Sequence, residues 1–214
     1  MTPSLDVLRS APLHRDARSA LVVLGCGLAL FVASWAVLAA VSERVPGWEA
    51  SLFHSVNDLP NALRAPLWPF MQLGNFYAWI VVSALAGIVY RRPAPALTVA
   101  AAGFGAWLLA KPVKALADRG RPGALLTHVI VRQGGIHGNG YVSGHAAVAA
   151  AIATALAWWM PRQLVIVAAI LVVAVAFARV YFGAHFPLDV VGGAGVGMVC
   201  GALAAFAIGT PVVH

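Results

Sequence analysis

Three short groups of ionisable residues stand against apolar surroundings in this sequence, and their side chains suit the handling of an anion. The first is Lys114 with Arg121, joined to Pro122; the second is Ser143, Gly144 and His145; the third is Arg179, His185 and Asp189. Lys114 and Arg121 are seven residues apart, about two turns, so on a continuous helix both cations project from one face and can grip one anion. Pro122 disfavours helix at Arg121 and is expected to turn its guanidinium into the following loop. Snorkelling of long cationic side chains to the headgroups is the other account of this pair.

Ser143, Gly144 and His145 open a predicted helix, where unpaired amides and the positive dipole end attract an anion. Ser143 is a favoured N-cap residue, and capping alone would explain it. Gly144 permits close backbone approach, and His145 can titrate near neutral pH. In the third group Arg179 closes one apolar run, and a short turn delivers His185 to the start of the next, where Pro187 suits the first helical position. Asp189, four residues beyond His185, can bond one imidazole nitrogen and leave the other free for attack. A local ion pair pinning the turn is the plainer alternative. Snorkelling, capping and pinning do not predict that all three groups converge on one membrane face, whereas a single phosphoryl site does. Lys114, Arg121, Arg179 and the amides at Ser143 and Gly144 would neutralise the phosphoryl charge. The sequence offers no carboxylate cluster for magnesium and no His or Cys spacing for zinc, so neither a metal nor any other cofactor is expected.

The elements that must position these groups follow from composition. Of 214 residues 61% are hydrophobic and 10% charged, with a mean hydropathy of +0.86, where a soluble domain carries about 25% charged residues. The apolar excess must face either lipid or a very large partner, and lipid is the simpler choice. A net charge of +7 does not make a nucleic-acid binder, because the basic residues are scattered between apolar runs with no basic stripe interleaved with aromatics. Cys26 and Cys200 both lie inside apolar runs, where a small buried thiol is the ordinary reading.

A spanning helix needs about twenty apolar residues, because every backbone amide in hydrocarbon must be paired within the segment. Six stretches qualify: 19–41, 68–90, 96–116, 143–160, 164–180 and 187–208. The expected fold is therefore all-α, a polytopic membrane protein forming a bundle of six transmembrane helices within a single domain, 1–214. The polar start, Met1 to Ala17, precedes a run too long for a signal-peptide core, which is read as a retained span. Residues 42–67 read as a surface segment in which Trp48, Leu52 and Phe53 form the apolar face of an interfacial helix. Arg9, Arg15, Arg18, Arg91, Arg92 and Arg162 fall on one side of a six-span layout. That places both termini in the cytoplasm and the three ionisable groups on the opposite face.

At these residues the sequence resembles the type 2 phosphatidic acid phosphatase and vanadium haloperoxidase superfamily, in its membrane lipid phosphatase branch. The signatures stand as Lys114 through Arg121-Pro122, Val142-Ser143-Gly144-His145, and Ala178-Arg179 through His185 to Asp189. The resemblance implies that His185 is the nucleophile, Asp189 its orienter and His145 the general acid, with Lys114, Arg121, Ser143, Gly144 and Arg179 holding the phosphate. Two positions depart from the pattern: Val142 replaces its usual proline and Ala178 its usual serine. Neither carries the proton transfer. The implied activity is hydrolysis of a lipid phosphate or diphosphate through a phosphohistidine, in a bacterial inner or plasma membrane. Polyprenyl, phosphatidic acid and phosphatidylglycerol phosphate lipids are the substrate types, and oligomeric state is not legible. Transfer of the phosphoryl group to a lipid acceptor, and a transporter or binding protein using the buried charges as an ion path, are the competing readings.

Overall fold

The apolar runs fold as helices, since a backbone among apolar side chains must pair its amides locally. A computed structural model of the protein describes residues 17–41, 44–133 and 135–208. Arg9, Arg15 and the polar start of the chain lie outside the described residues. Nine α-helices are described: α1 (Ala17–Ala40), α2 (Gly47–Asn57), α3 (Arg64–Gln72), α4 (Ala78–Tyr90), α5 (Pro93–Ala117), α6 (Pro122–Leu125), α7 (Gly144–Leu156), α8 (Arg162–Tyr181) and α9 (Pro187–Ile208). A single 3-10 turn, Asn61–Leu63, precedes α3. Among the described residues the β structure is one isolated antiparallel bridge, Gly120 to Asn139.

The expected six full-length spans need correction. Four helices, α1, α5, α8 and α9, are long and apolar enough to cross a membrane. The stretch 68–90 is not one helix: α3 ends at Gln72, and α4 starts afresh at Ala78 with its first amide bonded to Asn75 Oδ1 at 2.9 Å. The break lets α7 in, because a Cβ on Gly74 would collide with the carbonyl of His145. The stretch 143–160 shortens to α7. With 13 residues each, α4 and α7 reach about 20 Å against a hydrocarbon core of about 30 Å.

Leu21, Val22, Ile88, Leu97, Ile170 and Val173 are among the large apolar residues exposed around the bundle, a belt that only lipid would cover favourably. Small residues line the contact between α7 and α9. Gly193, Gly197 and Gly201 line one face of α9, and a Cβ on them would meet Ser143, Ala147 and Thr154 respectively. That order shows α7 and α9 running parallel, in close backbone contact through a stripe of small residues. On another face Gly195 meets Gly27 and Phe31 of α1. With partners on several sides, α9 is the most enclosed of the four long helices.

The parallel pairing puts the starts of α7 and α9 at one end of the bundle. Arg18, Arg91, Arg92 and Arg162 sit at the opposite end, where Ala20, Trp158, Trp159 and Ala205 cluster beside Tyr90 and Ala94. Gly197→Leu should push α7 from α9 and destabilise the bundle by about 1–3 kcal/mol. Gly105→Ala, at a helix position with nothing within 4 Å of the new Cβ, should be neutral or stabilising by about 0.5–1 kcal/mol. Thermal melting of both variants in detergent checks this contrast.

Candidate active site

The structure gathers the three ionisable groups at the shared end of α5, α7, α8 and α9. Lys114 is one turn from the end of α5, His145 is in the first turn of α7, Arg179 is in the last turn of α8, and His185 lies in the turn before α9. Lys114, Arg121, Arg179 and His185 all lie within electrostatic reach of His145.

Lys114 and Arg121 do not share one continuous helix, and Arg121 stands in the loop as Pro122 leads one to expect. Helix α5 stops at Ala117, with Asp118 in the left-handed region, and Arg121 becomes the extended residue that precedes α6. The two cations still lie within electrostatic reach of one another. Lys114 Nζ donates to the carbonyls of Asn139 and Gly140, both at 3.1 Å, which ties the returning loop to α5. Arg179 is buried, with one terminal nitrogen 3.3 Å from Met71 Sδ. The Nε atoms of Arg121 and Arg179 are buried with no protein acceptor. Two guanidinium groups with unspent donors beside a lysine form a setting for a multiply charged oxyanion.

At Ser143 both expected roles can be compared. Its Oγ accepts from the Ala146 amide at 3.4 Å, a long N-cap bond. Its own amide is spent on the Asp189 carbonyl at 2.8 Å, so that amide does not face an anion. A Cβ on Gly144 would meet nothing within 4 Å, which leaves the helix start open to approach there.

His185 is 2% exposed and Asp189 fully buried. Nδ1 of His185 lies 3.5 Å from Asp189 Oδ2, a close ion-pair distance that falls short of hydrogen-bond geometry. The same Oδ2 accepts from the Phe186 amide at 2.9 Å, so Asp189 also caps the helix it stands on. Burial first, then the charges of Arg179, Lys114 and Arg121, hold the His185 imidazole well below its ordinary range, and the ring is neutral.

The sequence reading missed two residues behind this pair. Arg119 donates to Asp189 Oδ1 at 2.8 Å and to both carboxylate oxygens of Glu49. Glu49 is fully buried on α2, whose expected polarity is partly inverted. Trp48 and Leu52 face outward, while Glu49, Phe53 and Asn57, spaced at four residues, face in. That spacing was the available signal, but an acid beside apolar residues reads as a solvent face.

The turn carrying His185 is pinned from outside. Asn57 Nδ2 donates to the carbonyls of Ile130 and Tyr181, each at 3.0 Å, and Arg132 reaches those of Asn57, Leu59 and Tyr181. Gly183 has φ +73°, and a Cβ there would strike the Ile130 carbonyl, so only glycine fits. Among the described residues no three His, Cys, Asp or Glu side chains are grouped to hold a metal ion.

Comparisons with known proteins meet at this site. The PAP2 superfamily model matches residues 71–210, which include all three ionisable groups. An undecaprenyl-diphosphatase from Sulfolobus acidocaldarius is 30% identical over 152 residues, 71% of this chain and 74% of that protein. The crystal structure of LpxE from Aquifex aeolicus matches with a TM-score of 0.66 at 25% identity, covering 73% of this chain and 94% of that one. A PAP2-type phosphatidylglycerolphosphate phosphatase from Bacillus subtilis shares the fold, with a TM-score of 0.66 at 20% identity over 85% of this chain and 94% of that one.

The depressed His185 pKa has a sign that can be measured. Free imidazole protonates near pH 6.5, whereas His185 should still be neutral as the pH falls through that value. Nitrogen-15 NMR of histidine-labelled protein in detergent, with His185→Gln for assignment, reads this directly. A His185 ring half-protonated near pH 6.5 would contradict the buried, cation-flanked geometry.

Proposed function

This chain belongs to the PAP2 superfamily as a membrane phosphatase, and on that premise we propose that it hydrolyses a lipid phosphate or diphosphate through a phosphohistidine on His185. The observation that carries the reading is a buried, neutral imidazole backed by Asp189 and faced by Lys114, Arg121 and Arg179. A neutral ring has a free electron pair. The cations screen the phosphoryl oxygens that would otherwise repel it.

In the proposed course Nε2 of His185 attacks phosphorus while the bond to the leaving oxygen breaks, and His145, which takes up a proton when the substrate's negative charge offsets the cations around it, gives that oxygen its proton. The ring, with its proton on Nδ1, becomes cationic beside the Asp189 carboxylate. Neutral His145 then takes a proton from water as its oxygen attacks the phosphohistidine, which releases phosphate and restores both rings.

The groove below His145 supports its assignment to the leaving group. On α7, Ala149, Ile152, Ala153 and Leu156 continue the face of His145 at helical spacing. With Leu73, Val82 and Val172 they line an apolar groove of about 170 Å³ between α4, α7 and α8. A lipid tail along that groove brings its phosphoester oxygen to His145. The exposed apolar belt means that such a tail need never leave the bilayer. A polyprenyl diphosphate is the first candidate, because the curated relative is an undecaprenyl-diphosphatase. The arginines at the far end of the bundle support cytoplasmic termini and a site on the extracytoplasmic face of a cell membrane.

Phosphate release from farnesyl diphosphate in detergent tests the mechanism. His185→Ala should lose activity by on the order of 10³-fold or more, and His145→Ala by about 10²–10⁴-fold. Acid-labile labelling from a phosphorus-32 substrate should appear in wild type and vanish in His185→Ala. Undiminished turnover in both variants overturns the reading, and abolition by EDTA would argue for a metal. Ala149→Leu, which narrows the groove, should raise KM for the prenyl substrate several-fold and leave p-nitrophenyl phosphate unaffected.

A further inference from the structure

Behind Asp189 lies a chain of buried charges that the reaction as described does not use. Glu49 is fully buried, Arg119 is 6% exposed and Asp189 is fully buried. Arg119 Nη1 spans the two acids, at 3.2 Å from Glu49 Oε1 and 2.8 Å from Asp189 Oδ1, and Nη2 completes a fork on Glu49. The guanidinium also lies over the Phe186 ring, 4.4 Å from its centroid. Although Arg119 stands between Lys114 and Arg121 in sequence, it points to the far side of Asp189, away from the oxyanion cluster. Glu49 comes from α2, outside the 71–210 stretch that the superfamily model matches.

We propose that Glu49 and Arg119 are positioning residues for the phosphoryl transfer: Arg119 clamps Asp189, and Glu49 balances Arg119 so that Asp189 keeps its negative charge for His185. The charges decide this. Arg119 with Asp189 alone would be a neutral pair, and the carboxylate facing His185 would already be spent. Adding Glu49 makes the triad net negative by one charge. That surplus lies on the side from which His185 Nδ1 is approached at 3.5 Å. When Nε2 attacks phosphorus, the ring acquires positive charge within a site already crowded with cations. An uncompensated carboxylate in a buried setting is what stabilises it.

The geometry of the triad is fixed at both carboxylates. Glu49 Oε1 accepts from the Leu188 amide at 2.9 Å, and Asp189 Oδ2 accepts from the Phe186 amide. Both acids thereby sit on the positive end of α9, and the Arg119 carbonyl holds the Gly140 amide at 2.6 Å. A purely structural Glu49 would act as a cap for α9. Glutamine at that position retains an oxygen for the Leu188 amide, which separates capping from charge.

The inference rests on His185 being the nucleophile, and the test separates the two. Turnover of farnesyl diphosphate, normalised to active sites by the phosphohistidine burst, is compared in wild type, Glu49→Gln and the double variant Glu49→Gln/Arg119→Gln, with His185→Ala as reference. Glu49→Gln should lower kcat by about 10–100-fold with KM and orthovanadate inhibition shifted less than ~3-fold, because Glu49 touches no substrate. Removing Arg119 as well frees Asp189 again, so the double variant should recover at least ~5-fold over Glu49→Gln. Wild-type kcat in Glu49→Gln, or a double variant slower than the single, overturns the proposal. If Glu49→Gln does not fold, Glu49→Asp and the double variant carry the test: both keep the charge balance and should stay within about 10-fold of wild type. An inactive double variant then overturns it. Full activity in His185→Ala would instead overturn the nucleophile assignment itself.

Discussion

Bringing Lys114, Arg121 and Arg179 around one buried histidine places like charges together at the end of an apolar bundle, where water screens them poorly. Each of these side chains would be unfavourable there alone. Much of the surrounding structure answers that constraint. Lys114 is held by two loop carbonyls, Arg179 is packed against Met71, and His185 gives up its proton instead of adding a fourth charge. The acids that compensate, Asp189 and Glu49, sit behind the histidine instead of among the cations, so the side of Lys114, Arg121 and Arg179 remains positive.

The packing of the bundle serves the same end. Helices α7 and α9 run parallel in backbone contact because glycines on α9 leave room for α7. That contact seats the Ser143 amide on the Asp189 carbonyl and sets the start of α7 level with the first turns of α9. The break at Gly74 then admits the His145 backbone. An unbroken α3–α4 would leave no such room beside the His145 backbone. The two short helices are therefore part of how the site is built.

The loop between α5 and α7 and the helix α2 do the remaining work of orientation. Asn57 and Arg132 join them to the end of α8, and Arg119 joins them to α9. The turn bearing His185 is thus held on several sides by hydrogen bonds to backbone carbonyls, which tolerate little displacement. Such fixing suits a side chain that must keep one orientation.

The three ionisable groups that meet in the candidate site were legible in the sequence because ionisable groups are rare in apolar runs and each one stands out at the end of its run. Membrane character and all-helical class followed from the same scarcity, since hydrocarbon leaves a chain few other ways to pair its amides. What the sequence did not determine were features that depend on three-dimensional contact. The spans 68–90 and 143–160 read as full-length because hydropathy does not register a backbone collision at Gly74 or the glycine stripe on α9. The α5 helix stops at Ala117, close to the end expected from hydropathy, but the left-handed turn at Asp118 that stops it is foretold by no residue spacing. Glu49 fell in a segment read as lying on the membrane surface and Arg119 in none of the three groups, since burial of an acid is settled by which partner lies opposite it. Chemistry written in residue type was determined locally; the balance of charge behind His185 was decided only when α2, the α5–α7 loop and α9 came together.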